Sequence, residues 1–369
     1  MAFAFIKHDT KIDFIGKRHI AYAISILLLL VGLGSALWGN GLRMGIDFAG
    51  GVIVQVQFAQ PVEDEVLKKS LDVPELPGIS TQRFGEGTRD YLLRFSSAEN
   101  TDAAALRTNV LTALAKAFPG NDVEIQRLEM VGPKVGDDLT NKALGALYYA
   151  TLLIAVYISG RFEQRWMIAA LMAAVLGSAM YVMGFLGMDM VYRVIGALAL
   201  TLLISWKLKL NYALGAIVGL LHDVLITLGL LAMMGKEIDL NIIAALMTLV
   251  GYSLNDTIIV YDRIRENLQN QPEDNPAPLA DIINLSVNQT LGRTIMTSAT
   301  TLIAALSLTI LGGGAIHDFA LTMSLGVFIG TFSSVFVSNP ILLLLGDTRQ
   351  YMVARKKVEY ERPGEHGVV

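Results

Sequence analysis

The sequence predicts a polytopic α-helical membrane protein with a separate α+β domain directly after its first span. Three observations lead there. Of 369 residues, 53% are hydrophobic and only 17% charged, whereas a soluble globular chain carries about 25% charged residues. Several apolar runs reach the length needed to cross a hydrocarbon core, about 20 residues. The stretch between the first two runs, residues 39–138, holds much of the charge and alternates strand-like with helix-like patterns. The net charge of −4 is small and spread out, so no nucleic-acid partner is expected. With no cysteine there is neither a disulfide framework nor a thiolate metal site.

Each element follows in order. Residues 1–19 form a cytoplasmic N-terminal segment in which Lys7, Lys11, Lys17 and Arg18 precede the first span, residues 20–38. Basic segment and apolar run are both long and no small-x-small site follows, so the span is a retained anchor rather than a cleaved leader. Within 39–138, "GVIVQVQF" alternates like a strand and "VEDEVLKKSLD" reads as a helix. "ISTQRF" and "DYLLRFS" read as strands around a Gly85–Gly87 turn. "NTDAAALRTNVLTALAKAF" is a helix capped by Asn or Thr, and "DVEIQRLEMV" closes with a strand. The order βαββαβ is the ferredoxin-like pattern, and its place after an outgoing span puts the domain outside the cytoplasm.

Residues 139–346 form a bundle of about seven further spans, read at 139–158, 166–186, 191–206, 212–234, 240–260, 294–311 and 319–345. Arg161, Arg165, Lys207, Lys209, Arg263, Arg265, Arg293, Arg349, Arg355, Lys356 and Lys357 then all fall on the cytoplasmic side. Both termini are cytoplasmic, 347–369 being a tail. Residues 269–281, rich in Pro, Asn and Glu, are a cytoplasmic linker. "KALGALYYATLLI" resembles "RVIGALALTLLIS", the trace of a duplicated hairpin or a chance likeness of two apolar spans.

There is no nucleotide-binding loop, no nucleophile elbow and no metal-ligand spacing among the five histidines, so hydrolysis and metal chemistry are not expected. What remains is polar residues at membrane depth. His222 and Asp223 lie halfway along one span, and Ser253, Asn255, Asp256 and Thr257 lie deep in the next, with Asp262 and Arg263 at its end. Thr294, Thr297, Ser298 and Thr301 share a face of the following helix. In lipid such groups point into the bundle. The Ser and Thr residues suit interhelical glue, about 0.6 kcal/mol per bond. Asp223 is different: an aspartate at a span centre costs about 2.5–3.5 kcal/mol on insertion scales, and Asn would bond as well without the charge. Low dielectric disfavours the charged form of a carboxyl, which suits a group that takes up and releases protons. His222 would relay that proton or pack, Asn255 would take part in the relay, and Asp256 would join it or simply end a helix.

Seven stretches resemble one family. They are "IDFIGKR" (12–18), "GIDFAGG" (45–51), "VGPKVG" (131–136), "RFE" (161–163), "ALGAIVGLLHDVLITLG" (213–229), "GYSLNDTIIVYDRIREN" (251–267) and "TLGRTIMTSATTLIAALSLTILGG" (290–313). In this order they are similar to the SecF subunits of the SecDF accessory complex of the bacterial Sec translocon, within the resistance–nodulation–division superfamily. The resemblance implies a bacterial inner-membrane protein of six spans with a periplasmic ferredoxin-like domain. It implies partnership with a SecD-like subunit and the Sec translocon channel, and unfolded preproteins as substrates drawn across by the proton-motive force. The only coupling agent is then the proton, with no organic cofactor, and the family's membrane aspartate falls on Asp223. Gly45, Asp47, Gly50 and Gly51 connect the first span to the domain; Asp262 and Arg263 are span-end or coupling residues. One departure stands out: about forty residues, 166–210, intervene before "ALGAI", enough for an extra hairpin. Two other readings stay open, a proton-driven small-molecule or lipid exporter of the same superfamily and a non-titrating structural subunit.

Overall fold

Unbroken apolar sequence becomes helix and alternating sequence becomes strand, and the boundary between the two is sharp. The computed structural model describes residues 10–38, 41–71, 79–83, 89–95, 103–272 and 276–343. Helix α1 (Arg18–Trp38) leads to β1 (Arg43–Met44), α2 (Ile46–Ala49), β2 (Gly51–Phe58), α3 (Asp64–Ser70), β3 (Ser80–Arg83), β4 (Asp90–Phe95), α4 (Ala103–Ala117) and β5 (Val123–Val131). The bundle follows as α5 (Pro133–Glu163), α6 (Trp166–Phe185), α7 (Met190–Lys207) and α8 (Asn211–Met233). It continues with β6 (Glu237–Ile238), α9 (Leu240–Gln269), α10 (Leu279–Leu311), α11 (Gly314–Phe336) and α12 (Ser338–Ile341). Eight of these helices are long and apolar enough to cross a membrane.

The four-stranded sheet has the order β3-β4-β2-β5, and every pairing is antiparallel. The period of two is visible in β2: Val52, Val54, Val56 and Phe58 are buried and the residues between them are not. They meet Tyr91 and Leu93 of β4 and, from the helices, Leu67, Leu106, Val110 and Leu114. Each fully buried Val or Leu stabilises this core by about 1.5–3 kcal/mol. The anticipated Gly85–Gly87 turn and the Asn or Thr cap of α4 lie outside the described residues.

In the bundle α8 is central, touching α1, α5, α7, α9, α11 and α12. At its crossing with α1, Gly32 and Gly229 meet backbone to backbone: a methyl on Gly229 would stand 2.7 Å from Gly32 Cα. Helices α6 and α7 form a hairpin against α5, with α7 also reaching α8. Its outer face is apolar, with Met167, Tyr181, Phe185 and Leu203 exposed.

Several boundaries differ from the sequence expectation, among them the far end of α9, which runs on to Gln269 rather than 260. Helix α10 begins at Leu279 rather than 294, so Asp281 is helical and the linker is shorter. The early turns are polar because they bind the N-terminal segment: Asn284 Oδ1 accepts from Phe14 N at 2.9 Å and Asn288 Oδ1 from Ile12 N at 3.0 Å. Helix α5 starts at Pro133, with Pro in its first turn. The last span breaks at Val337 before α12, since Pro340 lacks the N–H that a continuous helix needs. The tail, 347–369, lies outside the described residues.

Candidate functional site

Asp223 sits on α8 with its side chain 1% exposed. Its Oδ1 is 2.9 Å from His222 Nδ1, and its Oδ2 accepts from Ser253 Oγ of α9 at 2.5 Å. His222 Nε2 lies 2.9 Å from Ser25 Oγ of α1. Four groups on three helices therefore form one chain, Ser25–His222–Asp223–Ser253. If Nδ1 carries the proton toward the carboxylate, Nε2 accepts from the serine hydroxyl; if both nitrogens are protonated, both donate. Helix α11 closes the other side, where Gly330 lies against Ser253 and Asp223.

Asp256 lies one turn beyond Ser253 on α9 and is likewise buried. Its contacts are longer: Thr297 Oγ1 donates to Oδ1 at 3.4 Å and Ser298 Oγ to Oδ2 at 3.3 Å, both from α10. Thr331 Oγ1 of α11 donates to Ser298 Oγ at 2.7 Å. Among the described residues, no lysine or arginine forms an ion pair with Asp223 or Asp256. Asp223 is thus held in a tight shell, and Asp256 in a loose one.

Asn255 is a correction to the expected relay. It faces outward and is exposed, because neighbours on a helix point about 100° apart and Asp256 takes the inward position. Asp262 and Arg263 are not in the network either. Asp262 pairs with Arg161 at the end of α5, and Arg263 with Glu266 on its own helix.

The connector residues lie at the end of the bundle nearest the sheet. Gly45 N donates to Ile238 O at 2.8 Å, and β1 pairs with β6 in parallel. Asp47 Oδ2 accepts from Leu240 N at 3.0 Å, adding a second cap to α9 beside its own Asp239. Gly50 and Gly51 have φ of +71 and +125, the left-handed region that favours glycine, and turn the chain from α2 into β2. So the α2 connector is zipped to the loop between α8 and α9, which carry the two aspartates.

Sequence reasoning missed several partners. Ser25 hides in an apolar span and nothing in its spacing marks it. Arg94 of β4 pairs with Glu237 of β6, and Lys236 Nζ donates to Asp318 Oδ1 at 2.6 Å, so charges tie the sheet to the connection between α8 and α9, and that connection to the first turns of α11. Their signal, charges just beyond span ends, was present but had no partner assignment.

Comparison with known proteins gives a consistent result. A family model described as "Protein export membrane protein SecD/SecF, C-terminal" matches residues 110–203 and 186–348, and one described as "SecD/SecF GG Motif" matches residues 35–62. The chain is 39% identical over 352 residues to "Protein translocase subunit SecF" of Magnetococcus marinus, covering 95% of this chain and 97% of that one. It is 34% identical over 345 residues to the protein of the same name from Calditerrivibrio nitroreducens, covering 94% and 97%. Among solved structures it is similar to SecDF, a translocon-associated membrane protein from Thermus thermophilus, with a TM-score of 0.66 and 28% identity. That match covers 92% of this chain and 39% of the longer SecDF chain.

Proposed function

This chain belongs to the SecF branch of the SecD/SecF family of protein-export membrane proteins, and from that premise we propose that it couples the proton-motive force to preprotein export. It is an auxiliary subunit of the Sec protein translocase. Its partner is a SecD-like subunit, its substrates are unfolded preproteins emerging from the Sec channel, and its place is the bacterial inner membrane with both termini cytoplasmic. The βαββαβ domain, with its antiparallel sheet, is read as ferredoxin-like and periplasmic.

The observation that carries the proton reading is the pair of buried carboxyls on adjacent helices, linked through Ser253, with no lysine or arginine ion-paired to either among the described residues. An unpaired charge at this depth is costly, and the carboxyls avoid it by carrying a proton for part of the cycle. Their shells divide the work. Asp256, held by two long hydroxyl contacts, is free to exchange, while Asp223 with His222 and Ser25 senses or relays that exchange and passes it along α8. From α8 the movement reaches the external domain through β6, Asp47 and Arg94. One proton crossing 100 mV releases about 2.3 kcal/mol, enough for a few protons to shift a domain.

A second reading has its own support: Asp223 is so fully bonded that it would serve as a packing hub, leaving Asp256 as the only exchanging group. Gradient-stimulated preprotein movement in inverted vesicles separates the two. Asp256→Asn abolishes the stimulation on either reading. Asp223→Asn abolishes it if Asp223 relays protons and spares it if Asp223 only packs. Full stimulation in both variants refutes proton coupling through this pair.

A further inference from the structure

At the cytoplasmic end of the bundle, the "RFE" segment and its flanks join four helix ends. Arg161 pairs with Asp262 of α9, and Arg265 Nη1 donates to Arg161 O at 3.0 Å. Arg165 Nη1 donates to Leu208 O, just past α7, at 2.8 Å. Between them Glu163 Oε1 accepts from Tyr212 N, in the first turn of α8, at 3.0 Å. Helix α8 has no side-chain cap of its own, so its cap comes from a residue 49 positions earlier.

The other oxygen, Glu163 Oε2, is closed off from solvent and has no hydrogen-bond partner among the described residues. The rings of Phe162, Tyr212 and Tyr261 pack on one another beside it, with centroids 5.1–5.7 Å apart. The titratable and charged groups around Glu163 are Arg161 and Arg165 from its own turn, Tyr212 from α8, and Tyr261, Asp262 and Arg265 from α9. Lys207 ends α7 and Lys209 stands in the turn after it. Of these, the Arg165 guanidinium acts on the Glu163 carboxyl through its charge, while Arg161 pairs with Asp262 instead. A carboxyl with one oxygen committed to a backbone N–H and the other enclosed without a donor has one position for an acid proton, and that position is Oε2.

We infer that Glu163 is a proton-binding site at the cytoplasmic end of α8. Oε2 takes up a proton and returns it, and Oε1 reports the change to α8. A carboxylate is a stronger acceptor than a neutral acid and suits the positive end of a helix better, so loading Oε2 loosens the first turn of α8 and unloading it tightens that turn. Asp223 stands about 16 Å further along the same helix, at 1.5 Å per residue. The inference rests on the proton reading and adds to it a third carboxyl, at the cytoplasmic mouth.

The test is infrared spectroscopy of the full chain in lipid vesicles, titrated with acid and base. The probe is the carbonyl band of a protonated carboxyl, compared between parent and Glu163→Gln. The parent should show a titrating band that the Gln variant loses. The same loss should appear in a background carrying Asp223→Asn and Asp256→Asn, so a failure of export coupling through that pair leaves this result standing. Glu163→Asp covers the case in which the Gln variant misfolds: the shorter side chain should shift the band's titration. A parent spectrum with no band lost in Glu163→Gln, or a band unmoved in Glu163→Asp, overturns the assignment.

Discussion

Replacing Gly229 by alanine tests whether the crossing of α1 and α8 sets the geometry of the carboxyl site. The two helices run side by side at a constant offset: Ser25 faces His222 across 197 positions, and Gly32 faces Gly229 across the same interval. A methyl on Gly229 would stand 2.7 Å from Gly32 Cα, and one on Gly32 2.9 Å from Gly229 Cα. Carbon atoms at rest need about 3.5–4.0 Å, and the obstacle is backbone, which cannot swing aside. The helices must therefore part by about 1 Å, at an overpacking cost of about 1–3 kcal/mol. Seven residues down, about 10 Å along the axis, the Ser25–His222 contact of 2.9 Å is pulled past hydrogen-bond range. Gly229→Ala should lower the thermal stability of the detergent-solubilised chain and reduce gradient-stimulated export in vesicles. Gly32→Ala should do the same. The double variant should cost clearly less than the sum, because the first methyl already opens room for the second. Ser25→Ala is the companion measurement, since it removes the bond without moving the helices. Unchanged stability and export in both glycine variants, or strictly additive losses in the double, would refute the argument.

Three further outcomes are expected. Arg94→Ala leaves Glu237 without its partner in a part-buried setting, at about 1–3 kcal/mol, and should speed hydrogen exchange at residues 43–44 and 237–238; unchanged protection there would count against a charge link between sheet and bundle. Gly51→Val places a β-branched residue at a φ of +125, at about 1–3 kcal/mol of strain, and should lower the melting temperature; an unaltered melt would mean that the turn has a second conformation. The Gly16 N–H and the Asn284 amide hold the Asp13 carboxyl below its ordinary value. A depressed folded value gives stability that is present above the unfolded value and lost as pH falls through the folded one. Exchange protection of the Phe14 and Ile15 amides, which donate to Asn284, should therefore hold at neutral pH, fall in acid below about pH 4, and be lost at every pH in Asn284→Ala.

What the sequence made legible was depth and period, and what it concealed was azimuth. The strands of the α+β domain were readable because Val52, Val54 and Val56 alternate with polar neighbours, and one face of a sheet admits no other register. The α6–α7 hairpin was readable because its two apolar runs each reach spanning length; α6 and α7 fall within a residue or two of the expected limits. The early start of α10 was concealed because Asn284 and Asn288 look like linker residues until the backbone of residues 12–15 is laid across them. Asn255 and Asp256 occupy the same depth, yet a rotation of about 100° sends one to the surface and the other to the interior. Ser25 could not be found at all: its importance comes from a partner 197 positions away, and a serine in an apolar helix ordinarily bonds its own backbone.

The last prediction concerns the α6–α7 hairpin, residues 166–210, which lies between Glu163 and the helix it caps. Glu163 Oε1 and Tyr212 N are 3.0 Å apart, so the two ends of this segment already meet. The strain of making that meeting sits at the splice points: among the described residues, Gln164 (φ +55) and Lys209 (φ +53) are the only non-glycine residues with positive φ, each costing about 1–2 kcal/mol. The hairpin comprises two candidate spans, an even number, so its removal would leave everything after residue 210 on the same side of the membrane. Removing the hairpin and joining Gln164 to Asn211 through a short glycine-bearing turn should therefore leave the Ser25–His222–Asp223–Ser253 chain in place. The face of α5 that α6 and α7 cover would meet lipid tails instead, and lipid is about as apolar as the side chains it replaces. The shortened chain should insert, keep gradient-stimulated export, and lose little stability. Loss of export in a deletion variant that inserts normally and retains its SecD-like partner would show that the hairpin takes part in coupling, and the argument from the splice geometry would fail.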